Sequence, residues 1–155
     1  MEVVLSPIGI IHTSIESKED APVQGAFCPK TKGELEIFPQ YHDGLKDIEL
    51  FSHIILLYHF HQAGEVEMVR QTFLDDTPHG VFASRHPCRP NGIGITTVKL
   101  AGRDGNTLYV EGIDVLDGTP LIDIKPYVPR FDSFPNASEG WLKNRPNRQK
   151  PQGRE

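Results

Sequence analysis

Two arginines and a histidine share a stretch that cannot be regular: Val81-Phe82-Ala83-Ser84-Arg85-His86-Pro87-Cys88-Arg89-Pro90-Asn91-Gly92-Ile93-Gly94-Ile95. The prolines at 87 and 90 fix φ and remove backbone donors, so neither strand nor helix can run through residues 85–91. Arg85 and Arg89 therefore stand on a stiff, irregular loop, a common way to aim guanidinium groups at an anionic ligand. A second chemistry-bearing group is acidic: Asp114, Asp117 and Asp123 surround the turn Gly118-Thr119-Pro120. Asp117, at the turn's start, fits an Asx turn that bonds its own backbone. Asp123, between Ile122 and Ile124, needs a partner, for which Lys125 and Arg85 are the candidates.

His59-Phe60-His61-Gln62-Ala63-Gly64-Glu65 is the remaining cluster. On a strand, positions 59 and 61 face the same way, and two imidazoles so placed could grip a metal. The spacing also occurs in the metal motif of cupin barrels. That motif has a glycine six residues before its first histidine, where this chain has His53, and a second PxGxxH segment, which this chain lacks. A metal site is not expected. Gly92-Ile93-Gly94 lacks the third glycine of a phosphate-cradling fingerprint. Trp141 and the basic run Lys143 to Lys150 could dock nucleic acid by stacking and phosphate contacts, against the simpler reading of a solvated tail.

The elements that must carry these residues read as short strands. Val3 to His12 is a first strand, with Pro7 marking an edge or a bulge. Residues 13–32 form a long polar loop, and Gly33 to Phe38 alternates as a second strand. Tyr41 to Leu50 carries a short-helix pattern, and the apolar run from Ser52 to His61 reads as a strand buried on both faces. Glu65 to Phe73 and Gly80 to Ser84 are short strands that lead into the arginine loop. Ile93 to Ala101 and Thr107 to Leu116 make a hairpin across residues 102–106, and Leu121 to Ile124 is the last strand. Six to eight short strands with one or two short helices predict an all-β, single-domain β-barrel over residues 3–135, with a polar basic tail at 136–155.

Composition agrees with this. The chain of 155 residues holds 14 Gly and 13 Pro, which favours turns over a helical bundle, and suffices for one core. No apolar run approaches the roughly 18 residues of a membrane span, and the N-terminus lacks a signal-peptide layout, so a cytoplasmic location and no membrane partner are expected. Cys28 and Cys88 form no CxxC pair and are expected as free thiols. The net charge of −5 argues against a broad nucleic-acid footprint, but basic residues gather after residue 125 and in the 85–89 loop, which leaves room for a local RNA contact.

Several ordered segments together resemble a known family. They are Pro7-Ile8-Gly9, the run from Gly44 to Ile54, His61-Gln62, Gly80 to Arg85, Arg89-Pro90-Asn91 with Ile93-Gly94, and Asp114 to Pro120 leading into Asp123-Ile124-Lys125-Pro126-Tyr127. In these the chain is similar to the TsaA-like/TrmO family of S-adenosylmethionine-dependent tRNA methyltransferases. The resemblance implies a β-barrel unlike the usual methyltransferase fold, a homodimer, and methylation of N6 of the threonylcarbamoyl-modified adenosine 37 of tRNA. Carried over by motif, the cofactor contacts are Gln24, Gly25, His61, Gln62, Arg85, Ile95, Asp114, Val115, Leu116 and Asp117. The implied substrate pairs Arg85 with a carboxylate and leaves Asp123 or His86 to accept the proton from the target nitrogen; Arg89, Lys125, Arg145 and Arg148 become the tRNA contacts. The chain departs from the family at Gly92, where proline is usual, and at His86, where serine or threonine is. The competing reading is a barrel that binds S-adenosylmethionine or a nucleotide without catalysis.

Overall fold

In the computed structural model, residues 1–18, 20–21 and 29–145 are described, and eight strands fall among them. They are β1 (Gly9–Thr13), β2 (Lys32–Ile37), β3 (His53–His59), β4 (Val69–Gln71), β5 (Pro78–Gly80), β6 (Ile93–Asp104), β7 (Thr107–Glu111) and β8 (Thr119–Pro126). Six of them close into a barrel in the order β1-β2-β7-β6-β3-β8, with every neighbouring pair antiparallel. β4 and β5 form a separate two-stranded ribbon.

Alternation explains the closure. Along β2 and the first half of β6, buried and exposed residues strictly alternate, so one row of side chains fills the barrel and the other faces out. Ile11, Leu35, Ile54, Leu56, Val98, Leu108, Val110 and Leu121 are the inward set, each sealed from solvent. β3 corrects one expectation. Ile54, Leu56 and Tyr58 are buried, whereas Ile55 and Leu57 are only partly covered, so this strand is a barrel stave and not one buried on both faces.

Boundaries shift where prolines and turns compete with pairing. The first strand starts at Gly9 and not at Val3, and Met1, Val3, Val4 and Leu5 are exposed and unpaired with the sheet. Gly9 itself admits no side chain, because a Cβ would strike the Glu36 carbonyl across the β1–β2 pair. The expected short helix consists of two 3₁₀ turns, Pro39–Leu45 and Ile48–Leu50. Val81–Ala83 is also a 3₁₀ turn, not a strand. After β8 the chain makes one short α-helix, α1 (Pro129–Asp132), and a 3₁₀ turn at Gly140–Leu142.

Candidate functional site

The arginine loop is as stiff as its prolines imply. Ser84 Oγ and the Ser84 amide both donate to the Val81 carbonyl, at 3.1 and 3.2 Å. The Cys88 amide donates to His86 Nδ1 at 3.1 Å, and the Arg89 guanidinium donates to the carbonyls of Ser84 (3.0 Å) and His86 (3.4 Å). Arg89 is thus an internal brace for the loop that carries Arg85. Gly92 closes the turn with its amide on the Arg89 carbonyl and a φ of 55°, a left-handed value closed to the proline usual at this place.

This loop forms one wall of a cavity of about 710 Å³, a size within the ~300–1,000 Å³ of small-molecule sites. Other parts of the chain meet it there, among them the end of β3 with the turn after it, Thr72-Phe73-Leu74 after β4, the segment Asp114-Val115-Leu116 and residues 139–145. Arg85, His86, His61, Gln62, Asp114, Val115 and Leu116, all singled out from the sequence, line this cavity. Gln24 and Gly25 lie outside the described residues.

Other candidates sit elsewhere. Ile95 faces outward from β6 and is 43 % exposed, away from the cavity wall. Asp117 turns aside to accept the Thr13 amide at 3.0 Å and so ties the end of β1 to the turn before β8. Asp123 pairs with Lys125 at 2.8 Å, outside the cavity, which resolves the choice between its two candidate partners. This carboxylate holds the Lys125 ammonium above its ordinary pKa. The pair engages Asp123 and Lys125 with each other along one strand. Arg145 lines the cavity and pairs with Asp75 at 3.3 Å, while Arg148 lies outside the described residues. β3 ends at His59, and His61 stands in the turn beyond, so the two imidazoles do not share a strand face. Among the described residues no group of three His, Cys, Asp or Glu side chains is placed to hold a metal ion, and no helix is long and apolar enough to cross a membrane. Cys88 is buried, and Cys28 lies outside the described residues.

The structure adds Tyr58, which sequence reasoning missed. It lies in the apolar run of β3 and looks like core, and it is indeed only 4 % exposed, but it also lines the cavity. Burial, and then the Asp114 carboxylate, push its phenol above its ordinary pKa; Arg85 partly opposes them. Tyr58 therefore stays a neutral phenol at physiological pH, in the electrostatic field of both Asp114 and Arg85.

Asp75 is the second addition. It is 4 % exposed and accepts His79 Nε2 at 2.9 Å, besides the Arg145 contact and the amides of Asp76 and Thr77. The His79 hydrogen bond, ahead of the smaller contributions of those amides and of Arg145, holds its carboxyl below the ordinary carboxylate range. An unfolded aspartate titrates near ~3.9 and the folded one lower, so the cluster's contribution to stability is full above the unfolded value. It disappears as pH falls through the folded value. Chemical denaturation of wild type and Asp75→Asn between pH 7 and 3 should show a stability gap at neutral pH that closes on acidification; a gap independent of pH would refute this.

The family model of the tRNA-methyltransferase O N-terminal domain matches residues 10–133. A protein of Pyrococcus abyssi described as a "Probable S-adenosyl-L-methionine-binding protein" is 51 % identical over 136 residues, covering 88 % of this chain and 74 % of that one. The human tRNA (adenine(37)-N6)-methyltransferase is 36 % identical over 140 residues, 86 % of this chain but only 32 % of its own. A crystal structure of TrmO superposes with a TM-score of 0.80 at 42 % identity, covering 90 % of this chain and 64 % of that one. The chain thus spans about a third of the human relative and somewhat under two thirds of the crystallised one. On the domain match and these identities, the chain belongs to the tRNA-methyltransferase O family.

Proposed function

We propose that the protein is an S-adenosylmethionine-dependent methyltransferase acting on N6 of adenosine 37 in tRNA. The observation that carries this reading is the convergence of Arg85, Tyr58 and Asp114 on one cavity of about 710 Å³. The cavity's chemistry fits the cofactor. Phe60, Phe73 and Leu74 offer apolar surface for an adenine, Asp114 suits ribose hydroxyls or an ammonium, and Arg85 suits a carboxylate. Bound there, S-adenosylmethionine would supply an electrophilic methyl group for in-line displacement by the target nitrogen. Alignment and exclusion of water are what the protein must add.

His86 Nδ1 accepts the Cys88 amide, so the neutral ring carries its proton on Nε2. That makes His86 a donor within the cavity wall and not a base. With Asp123 held by Lys125, this reading gives the reaction no dedicated base, and the proton leaves to solvent after transfer. Arg85 serves the carboxylate of the cofactor or of the threonylcarbamoyl group. The barrel over residues 3–135 carries the chemistry. A cytoplasmic homodimer completes the reading, supported by the exposed apolar arm of Met1, Val3, Val4 and Leu5.

The test is transfer of a labelled methyl group to tRNA lacking this modification, with the product nucleoside identified by mass spectrometry. Wild type should methylate N6 of adenosine 37. Asp114→Asn should weaken S-adenosylmethionine binding by roughly tenfold or more, as expected for loss of a charge-assisted contact. Cofactor binding without any transfer would leave only the non-catalytic binding module.

A further inference from the structure

Part of the cavity wall lies beyond the stretch that the family model matches. The domain match ends at residue 133, yet Glu139, Trp141, Leu142, Asn144 and Arg145 all line the cavity. This strap is held down at several points. Trp141 Nε1 donates to the Ala83 carbonyl at 2.7 Å, in the 3₁₀ turn just before Arg85. Its indole stacks on His79 of β5, with ring centroids 4.1 Å apart and planes 13° apart. His79 is in turn bonded to buried Asp75 at 2.9 Å, and Arg145, at the strap's far end, reaches the same Asp75 oxygen at 3.3 Å. The β4–β5 ribbon and the strap are therefore one latched unit, anchored on a carboxylate out of solvent.

We propose that residues 139–145 belong to the ligand site: the strap is a latched wall that contacts the bound cofactor and sets how fast it leaves. The proposal rests on the reading of this cavity as the S-adenosylmethionine site. Its physical basis is that Trp141 and Arg145 line the same cavity as Arg85 and are themselves fastened down, so a ligand that touches them must break contacts to a held wall before it departs. It also assigns Arg145 to the latch, where the sequence suggested a tRNA contact.

Trp141 is the sole tryptophan of the chain, so its emission reports on the strap directly. Titration of the purified wild-type protein with S-adenosylmethionine, followed both by calorimetry and by tryptophan fluorescence, should give a saturable emission change with the calorimetric Kd. In His79→Ala, which removes the stacking partner while leaving the tryptophan in place, the cofactor's dissociation rate should rise about tenfold while the tRNA KM stays within twofold. An emission spectrum unmoved at calorimetric saturation overturns the proposal, and so does an unchanged dissociation rate in a folded His79→Ala. The wild-type titration decides the matter should the variant fail to fold. Absence of calorimetric binding in wild type would instead overturn the cofactor reading itself, and the proposal with it.

Discussion

Gly94→Ala is expected to lower the melting temperature sharply and abolish cofactor binding together. Gly94 pairs with Tyr58 across β3 and β6. A Cβ at this position would overlap carbons of the Tyr58 ring and come within 2.8 Å of Phe60 Cζ. Tyr58 cannot easily yield, because its ring stands edge-on to Phe60 with centroids 5.4 Å apart at 83°. Overpacking of this kind costs ~1–3 kcal/mol. Here the displaced ring is also part of the cavity wall, so the loss falls on binding as well as on stability. A double-mutant cycle gives the decisive reading. In a Tyr58→Ala background the Gly94→Ala change should cost markedly less, since the two closest obstructing atoms are gone and only Phe60 Cζ must give way. Additive losses in the cycle would show that the glycine matters for some other reason.

Arg85→Ala should reduce kcat/KM for methyl transfer by about a hundredfold, the size of one lost charge-assisted contact of ~1.5–3 kcal/mol. The Cys88, Arg89 and Ser84 bonds hold the loop without the Arg85 side chain, so the fold should persist. Arg85→Lys keeps the charge but loses the planar fork, and should recover only part of the activity. Full activity in the lysine variant would mean that a point charge suffices. Full activity in the alanine variant would remove Arg85 from the reaction.

The contrast between Tyr58 and Arg85 shows what a sequence can display. Arg85 was legible because it stands just before Pro87 and Pro90, on a loop that cannot be regular and that commonly carries charge toward a ligand. Tyr58 was hidden because an apolar run offers its residues only as core, and the barrel's inner surface and the cavity wall share that strand. The barrel was legible from alternation in β2 and β6, which does not depend on distant contacts. The fate of Asp117 and Asp123 was not. Asp117 is turned to Thr13 by the approach of β1 to the turn before β8, more than a hundred positions away, whereas Asp123 meets Lys125 two residues along its own strand and leaves the cavity because of where β8 sits in the barrel. The strap was least visible, because its composition is that of a solvated tail and its anchor, Asp75, is more than sixty positions away.

The closing seam of the barrel is also its thinnest. β1 meets β8 over only Gly9↔Leu121, Ile10↔Pro120 and Ile11↔Thr119, against seven pairs between β3 and β6. Pro120 contributes no amide to it. These partners are over a hundred positions apart, so the seam carries the heaviest chain-closure entropy of the barrel's pairings. Thr119 belongs both to that seam and to the cavity wall. A pocket so placed exists only in the finished cylinder: partly folded chains would hold every motif of the family and still bind nothing.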